Sequence, residues 1–187
     1  MKKRNIDCDD SLYAGWIELE YRVENSLEEI NLFTTTPNYD MNGAECELFN
    51  IESIEKLAIE GIGEITPSKT YKFNDSGCYK VYVKFKDMTI IPFSAFVGCT
   101  NLESVYIPDS IKLIEGFAFD GCTGLSAVYM PASLEVIEDY AFRNCTSLNL
   151  LYAKSEKAPS IAQNTFEGVN SGCQLYIHKN AIGYDEW

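Results

Sequence analysis

Seven cysteines and a single histidine are the side chains of this chain best suited to covalent or metal chemistry. A cysteine hydrolase needs a thiolate beside an imidazole, and His178 is the only base on offer. No spacing builds a triad around it, because it falls next to the last strand pattern, where earlier repeats carry proline. Cys8, Cys46, Cys78 and Cys173 lack metal-ligand spacing, and one histidine is too few for the usual zinc sets. Aspartates and glutamates are plentiful, yet none recurs at a fixed position facing one way, as paired acid–base carboxylates would. Gly61-Ile62-Gly63 lacks the third glycine and the helix of a phosphate loop. The expectation is a chain without catalytic residues, cofactor or metal ligands.

The other three cysteines are regular. Cys99, Cys122 and Cys145 recur every 23 residues, as do Ala95, Ala118 and Ala141, Phe96, Phe119 and Phe142, and Leu102, Leu125 and Leu148. The full units read IPFSAFVGCTNLESVYIP from Ile91, IEGFAFDGCTGLSAVYMP from Ile114 and IEDYAFRNCTSLNLLYAK from Ile137. A period of this size with a leucine-rich strand is the mark of a solenoid, whose units bury their apolar faces only by stacking. In stacked coils the three thiols would lie roughly 5 Å apart with parallel side chains, a geometry suited to a buried, reduced column rather than a disulfide.

Each unit divides into pieces. Leu102-x-x-Val105-x-Ile107 is an inward-facing strand, Ser110 to Ile114 and Ser133 to Ile137 are extended pieces on the opposite wall, and Glu115 to Asp120 is about one helical turn burying Ala118 and Phe119. A degenerate fourth unit keeps Pro159, Ile161, Phe166 and Gly168, followed by a strand from Gln174 to Lys179. Tyr184 and Trp187 are expected to cover the open end of the core.

Ahead of the repeats, residues 1–10 are polar and read as a disordered lead. Ile17, Leu19, Tyr21 and Val23 alternate with charged residues, so this stretch is a half-buried strand. Leu27 to Phe33 is a second strand candidate, Asn42-Gly43 marks a hairpin turn, and Ile54 to Ile62 fits either a strand or a short helix. The clearest hairpin joins Thr70–Phe73 to Tyr79–Phe85 through Asn74 to Gly77. The resulting fold class is mainly β: an antiparallel, Ig-like β-sandwich over residues 11–86, then a short right-handed leucine-rich solenoid with a parallel sheet over 87–187.

One outward position of the repeat is constant. Tyr106, Tyr129 and Tyr152 sit between inward residues of successive strands, and strand side chains alternate, so these rings face out. Tyr176 and Tyr82 continue the series at an offset of 24 on either side, placing the Val81-Tyr82-Val83 strand as the first rung of the same sheet. Five rings at the ~4.8 Å strand spacing would form a stripe about 19 Å long. Such a stripe stabilises a sheet by ring contacts, and it also offers rigid aromatic anchors to a ligand. Glu103, Ser126 and Asn149 lie at its edge and vary between repeats, as specificity positions would.

The repeats resemble the BspA-like leucine-rich-repeat family of bacterial surface proteins, through I-x-x-x-A-F-x-G-C-T-x-L-x-x-V-x-I-P over about residues 88–180. The third copy departs from it with Asn144 for glycine and Lys154 for proline. The segment Thr70 to Phe85 is similar to the close of a β domain that precedes such repeats in gut commensals. The resemblance implies extracellular or cell-surface display and adhesion to a host or bacterial protein. Glycan binding, with sugars stacked on the tyrosines, and a purely structural spacer are the alternatives.

Charge is consistent with this. Net charge is −13; residues 1–86 hold 10 basic and 16 acidic side chains, and residues 87–187 hold 5 and 12. Nucleic acids and anionic membranes require a basic face, so neither is an expected partner. No apolar run is long enough to cross a membrane, so no insertion is expected. The opening MKKRNIDCDD turns acidic where a signal peptide needs an apolar stretch. No signal peptide is therefore visible in this chain.

Overall fold

The computed structural model describes residues 15–35, 49–185 and 187. The lead over residues 1–10, the turn at Asn42-Gly43, Cys8 and Cys46 lie outside them. Three strands open the fold: β1 (Ile17–Val23), β2 (Glu29–Asn31) and β3 (Ile54–Ile59), the last preceded by one 3-10 turn. Then come β4 (Gly63–Ile65), β5 (Thr70–Lys72) and the long β6 (Gly77–Phe85). The repeats contribute two parallel sets. The long set is β8 (Leu102–Tyr106), β10 (Ala127–Met130), β12 (Leu150–Ala153) and β14 (Gln174–Ile177). The short set is β7 (Ile90–Ile91), β9 (Leu113–Ile114), β11 (Val136–Ile137) and β13 (Ser160–Ile161).

The solenoid reading holds. The long strands form one parallel wall and the short strands a second, with equivalent residues paired across coils, as in Tyr106–Tyr129–Tyr152–Tyr176 and Ile91–Ile114–Ile137–Ile161. The third side of each coil is a turn, and it is not the helical turn that the sequence suggested. Phe117 and Tyr140 take φ near +57° and +59°, which breaks the right-handed spiral. Backbone donors there point to the next coil instead: Phe96 N–H to Ala118, Phe119 N–H to Ala141 and Phe142 N–H to Thr165.

Between the walls runs a column of phenylalanines. Phe33, Phe96, Phe119, Phe142 and Phe166 stack with successive centroids 5.3, 5.0, 5.1 and 5.5 Å apart, and Trp187 closes the column 5.6 Å beyond. The expected C-terminal cap is thus in place. Beside it, the Cys122 thiol donates to the Phe96 carbonyl and the Cys145 thiol to the Phe119 carbonyl. Cys99, Cys122 and Cys145 are free and fully buried, as their parallel vectors implied.

The N-terminal region differs from expectation. Its described strands do not make an Ig-like sandwich: β1, β6, β3 and β4 join the long repeat strands in one eight-stranded sheet of order β14-β12-β10-β8-β1-β6-β3-β4. The hairpin between β5 and β6 is also absent, because β6 is paired on both edges, by β1 and β3, and β5 pairs with β2. Ile54–Ile59 resolves as a strand. The region caps the solenoid on two sides: β1 pairs antiparallel with β8, while Thr34 N–H bonds the Ala95 carbonyl and Phe33 stacks on Phe96. Ile17, Leu19 and Tyr21 of β1 are fully buried, so the alternation read in the sequence describes a strand with one face in the shared core.

Candidate recognition surface

The cross-strand register fixes where the tyrosines lie. Tyr106, Tyr129, Tyr152 and Tyr176 are consecutive Cα partners on four parallel strands. Tyr82 belongs to the same row of the same sheet but is not the next rung. β1 is inserted between β6 and β8, and Glu18 is the partner of Tyr82 on one side and of Tyr106 on the other. The sequence could not show this insertion, since β1 lies more than eighty residues before β8 and its own pattern fits any half-buried strand.

The insertion divides the stripe. Tyr82 is only 8% exposed, whereas Tyr106, Tyr152 and Tyr176 are 41%, 42% and 50% exposed, and Tyr129 is half-buried. The accessible row is therefore four rings long and lies wholly on the repeats. Tyr106 and Tyr129 stack with centroids 3.8 Å apart and planes 6° from parallel, and Tyr152 follows 6.2 Å from Tyr129, tilted by 46°. Tyr176 donates its hydroxyl to Gln174 Oε1 at 2.8 Å. Burial, followed by hydrogen bonding to Tyr129 and the negative charge of Glu18, pushes the Tyr106 phenol upward, so it stays protonated and able to donate.

A second outward row runs beside the first: Ser104, Ala127, Leu150 and Gln174, again in register. On the four repeat strands neither row carries a charged side chain, in a chain of net charge −13. The charged groups begin at the flank. Glu18 pairs with Lys80 at 2.8 Å, Ser104 donates to Glu20 at 3.1 Å, and Arg22 is ion-paired with Glu103. Hydrogen bonding to Glu103 raises Arg22 further above its ordinary value.

The proposed edge positions are unequal. Glu103 is held by Arg22, and Ser126 donates its hydroxyl to the Glu103 carbonyl, so both have structural partners. Asn149 is exposed. Folding also gathers Glu20, Cys78 and Glu103, whose ligand atoms lie within 4.8 Å of one another. Sequence spacing missed this trio because its members come from three distant strands. Both carboxylates already hold donors, Arg22 and Ser104, so a cation would have to displace the ion pair.

The remaining candidates for chemistry are separated. His178 Nδ1 is 3.6 Å from the Glu156 carboxylate on the surface, while the three repeat thiols are sealed in the core. Burial pushes Cys99 and Cys145 up, and Cys122 likewise, with its neighbouring thiols adding to the effect. A groove of about 880 Å³ between β11, β13 and Trp187 is lined by Ser133, Ser155 and Ser160, whose hydroxyls already donate to backbone carbonyls. Among the described residues, no helix is long and apolar enough to cross a membrane.

The chain is similar to a leucine-rich repeat protein from Bacteroides ovatus solved at 1.19 Å, with 18% identity, a TM-score of 0.40, and coverage of 81% of this chain and 37% of that one. No curated protein matches the chain. The family model described as "BspA type Leucine rich repeat region" matches six copies over residues 66–182, beginning before β6 and ending beyond β14. By its repeats, the chain belongs to the BspA-type leucine-rich-repeat family.

Proposed function

We propose that this protein is a non-catalytic recognition module that binds a protein partner through the uncharged face made by Tyr106, Tyr129, Tyr152 and Tyr176. The observation carrying this reading is the register itself: four tyrosines in one row on the repeat strands, with no charge among them or in the Ser104–Gln174 row beside them. Large amphipathic rings that lose little entropy on binding are the usual anchors of protein interfaces. Asn149 borders this face as a candidate specificity position, with Glu103 and Ser126 beside it, and Tyr82 supports the sheet from its buried place in the row. A bacterial surface or secreted setting is part of the proposal, supported by the family.

Ring geometry favours protein over glycan. A sugar stacks on an open aromatic face, whereas Tyr106 and Tyr129 cover each other and present edges and hydroxyls. The test is a purified-protein array and a glycan array probed with the same labelled chain. Specific protein binding that vanishes when Tyr106, Tyr129 and Tyr152 all become serine supports the proposal. Glycan binding alone, or protein binding indifferent to the triple change, overturns it.

A further inference from the structure

The eight-stranded sheet has two edges of different character. At one end β4 is three residues long and carries Glu64, paired with Lys56 at 3.0 Å, a charge that blunts an edge against further pairing. At the other end β14 reads Gln-Leu-Tyr-Ile, with no charge and no proline. Among the described residues, β14 pairs only with β12.

Backbone directions show what that edge offers. Gln174 donates its N–H to Asn149, and in a parallel ladder alternate residues turn both backbone groups to the same side. Gln174 and Tyr176 therefore bond β12, while the N–H and C=O groups of Leu175 and Ile177 point outward. Side chains tell the same story. Ile107, Met130 and Ala153, at the Ile177 position of earlier coils, are buried, but Ile177 is 43% exposed. No described strand lies beyond β14 to cover it.

We propose that a second copy of this chain covers this edge, adding its own β14 antiparallel about a two-fold axis at Tyr176. In that register Leu175 faces Ile177 of the partner subunit and the reverse, so the four outward backbone groups of each copy are satisfied by the other. Tyr176 then lies opposite Tyr176 of the partner subunit, an aromatic cross-strand pair. The charge pattern permits this at β14 although the chain as a whole repels its copy. No carboxylate occurs between Glu167 and Asp185, and the nearest basic residues, Lys179 and His178, fall opposite Cys173 of the partner subunit and Gln174 of the partner subunit. The two-fold axis is perpendicular to the sheet, so both tyrosine rows face the same way on one continuous sheet.

Sedimentation equilibrium from roughly 5 to 200 μM, a span matched to μM affinity, tests the pairing. The expected mass is twice that of the chain, and Tyr176→Lys, which sets like charges directly opposite, is expected to weaken association at least tenfold with unchanged circular dichroism. Ile177→Lys is a second variant should the first perturb the last coil, and Tyr106→Lys, three strands inside, is expected to leave the dimer intact. A wild type that stays monomeric throughout overturns the proposal. So does a dimer indifferent to both β14 variants, or one lost equally in Tyr106→Lys.

Discussion

Glu18 stands between Tyr82 and Tyr106 as the cross-strand partner of both, and its carboxylate is held by Lys80 at 2.8 Å. That one relationship ends the accessible tyrosine row at Tyr106 and turns Tyr82 into a supporting residue. Tyr82→Phe is therefore expected to leave partner binding within about twofold of the wild type. Tyr152→Ser, at the centre of the exposed row, is expected to cost more than tenfold, on the order of 1.4 kcal/mol or more. Surface plasmon resonance against a partner identified on the protein array makes the comparison.

Phe119 stacks between Phe96 and Phe142, with planes 8° and 3° from parallel. Truncation to alanine in mid-column leaves a cavity that the flanking coils cannot fill, at a cost of about 3–5 kcal/mol. Phe166 is only partly buried at the end of the column, so Phe166→Ala is expected to cost less. Urea unfolding followed by circular dichroism gives both values, and an equal loss at the two positions would contradict the stacked-core account.

Two glycines three residues apart carry opposite expectations. A Cβ at Gly124 would come within 2.1 Å of the Thr100 carbonyl oxygen, so Gly124→Ala must push two coils apart, at a cost of roughly 1–3 kcal/mol or more. Gly121 has φ +69°, and at the equivalent position of the next coil Asn144 has φ +58°. Asparagine tolerates this left-handed region, so Gly121→Asn is expected to change stability by less than about 1 kcal/mol. Thermal melts of the two variants check the contrast.

Asp120 takes both arms of the Arg143 guanidinium, at 2.9 and 2.6 Å, while Arg143 lies over the Phe117 and Tyr140 rings at 5.0 and 4.9 Å. Removing the carboxylate leaves a half-buried cation without its partner. Asp120→Ala is expected to destabilise by about 1–3 kcal/mol, with the double variant Asp120→Ala/Arg143→Met recovering part of it. A double-mutant cycle by urea unfolding measures the coupling.

Thiol labelling reports the column of cysteines. Burial pushes the Cys78 thiol up, and Glu103 adds to this, so at a given pH it holds less thiolate than a free cysteine. Its alkylation by iodoacetamide is expected to begin at a higher pH than that of a free cysteine, yet still to proceed in the native protein because Cys78 is exposed. Cys99, Cys122 and Cys145 are expected to react only on unfolding. Peptide mapping by mass spectrometry distinguishes the sites, and native-state labelling of Cys122 would refute the sealed core.

Much of this molecule is legible in the linear chain. The 23-residue recurrence of Ala, Phe, Cys and Leu determines a stacked coil, because those residues can be buried together only when equivalent positions lie one above another. The same recurrence sets the outward side of Tyr106, Tyr129 and Tyr152, since a strand alternates its faces. Trp187 as an end cap follows from the need to cover an apolar column. These are local or periodic properties, and a period is visible without any structure.

Long-range pairing belongs to the tertiary structure alone. The alternation in β1 shows that one face is buried and says nothing of which strands lie beside it. Only the fold sets β1 between β6 and β8, separates β5 from β6, and carries the antiparallel strands into the repeat sheet in place of a separate sandwich. The turns teach the same lesson. Glu115 to Asp120 has the composition of a helical turn, but each coil must bond the next, and that demand outweighs local preference by turning Phe117 left-handed. The sequence thus decided that the tyrosines would face outward in a row. The non-local hydrogen bonds of the sheet decided where that row begins and which of its rings are exposed.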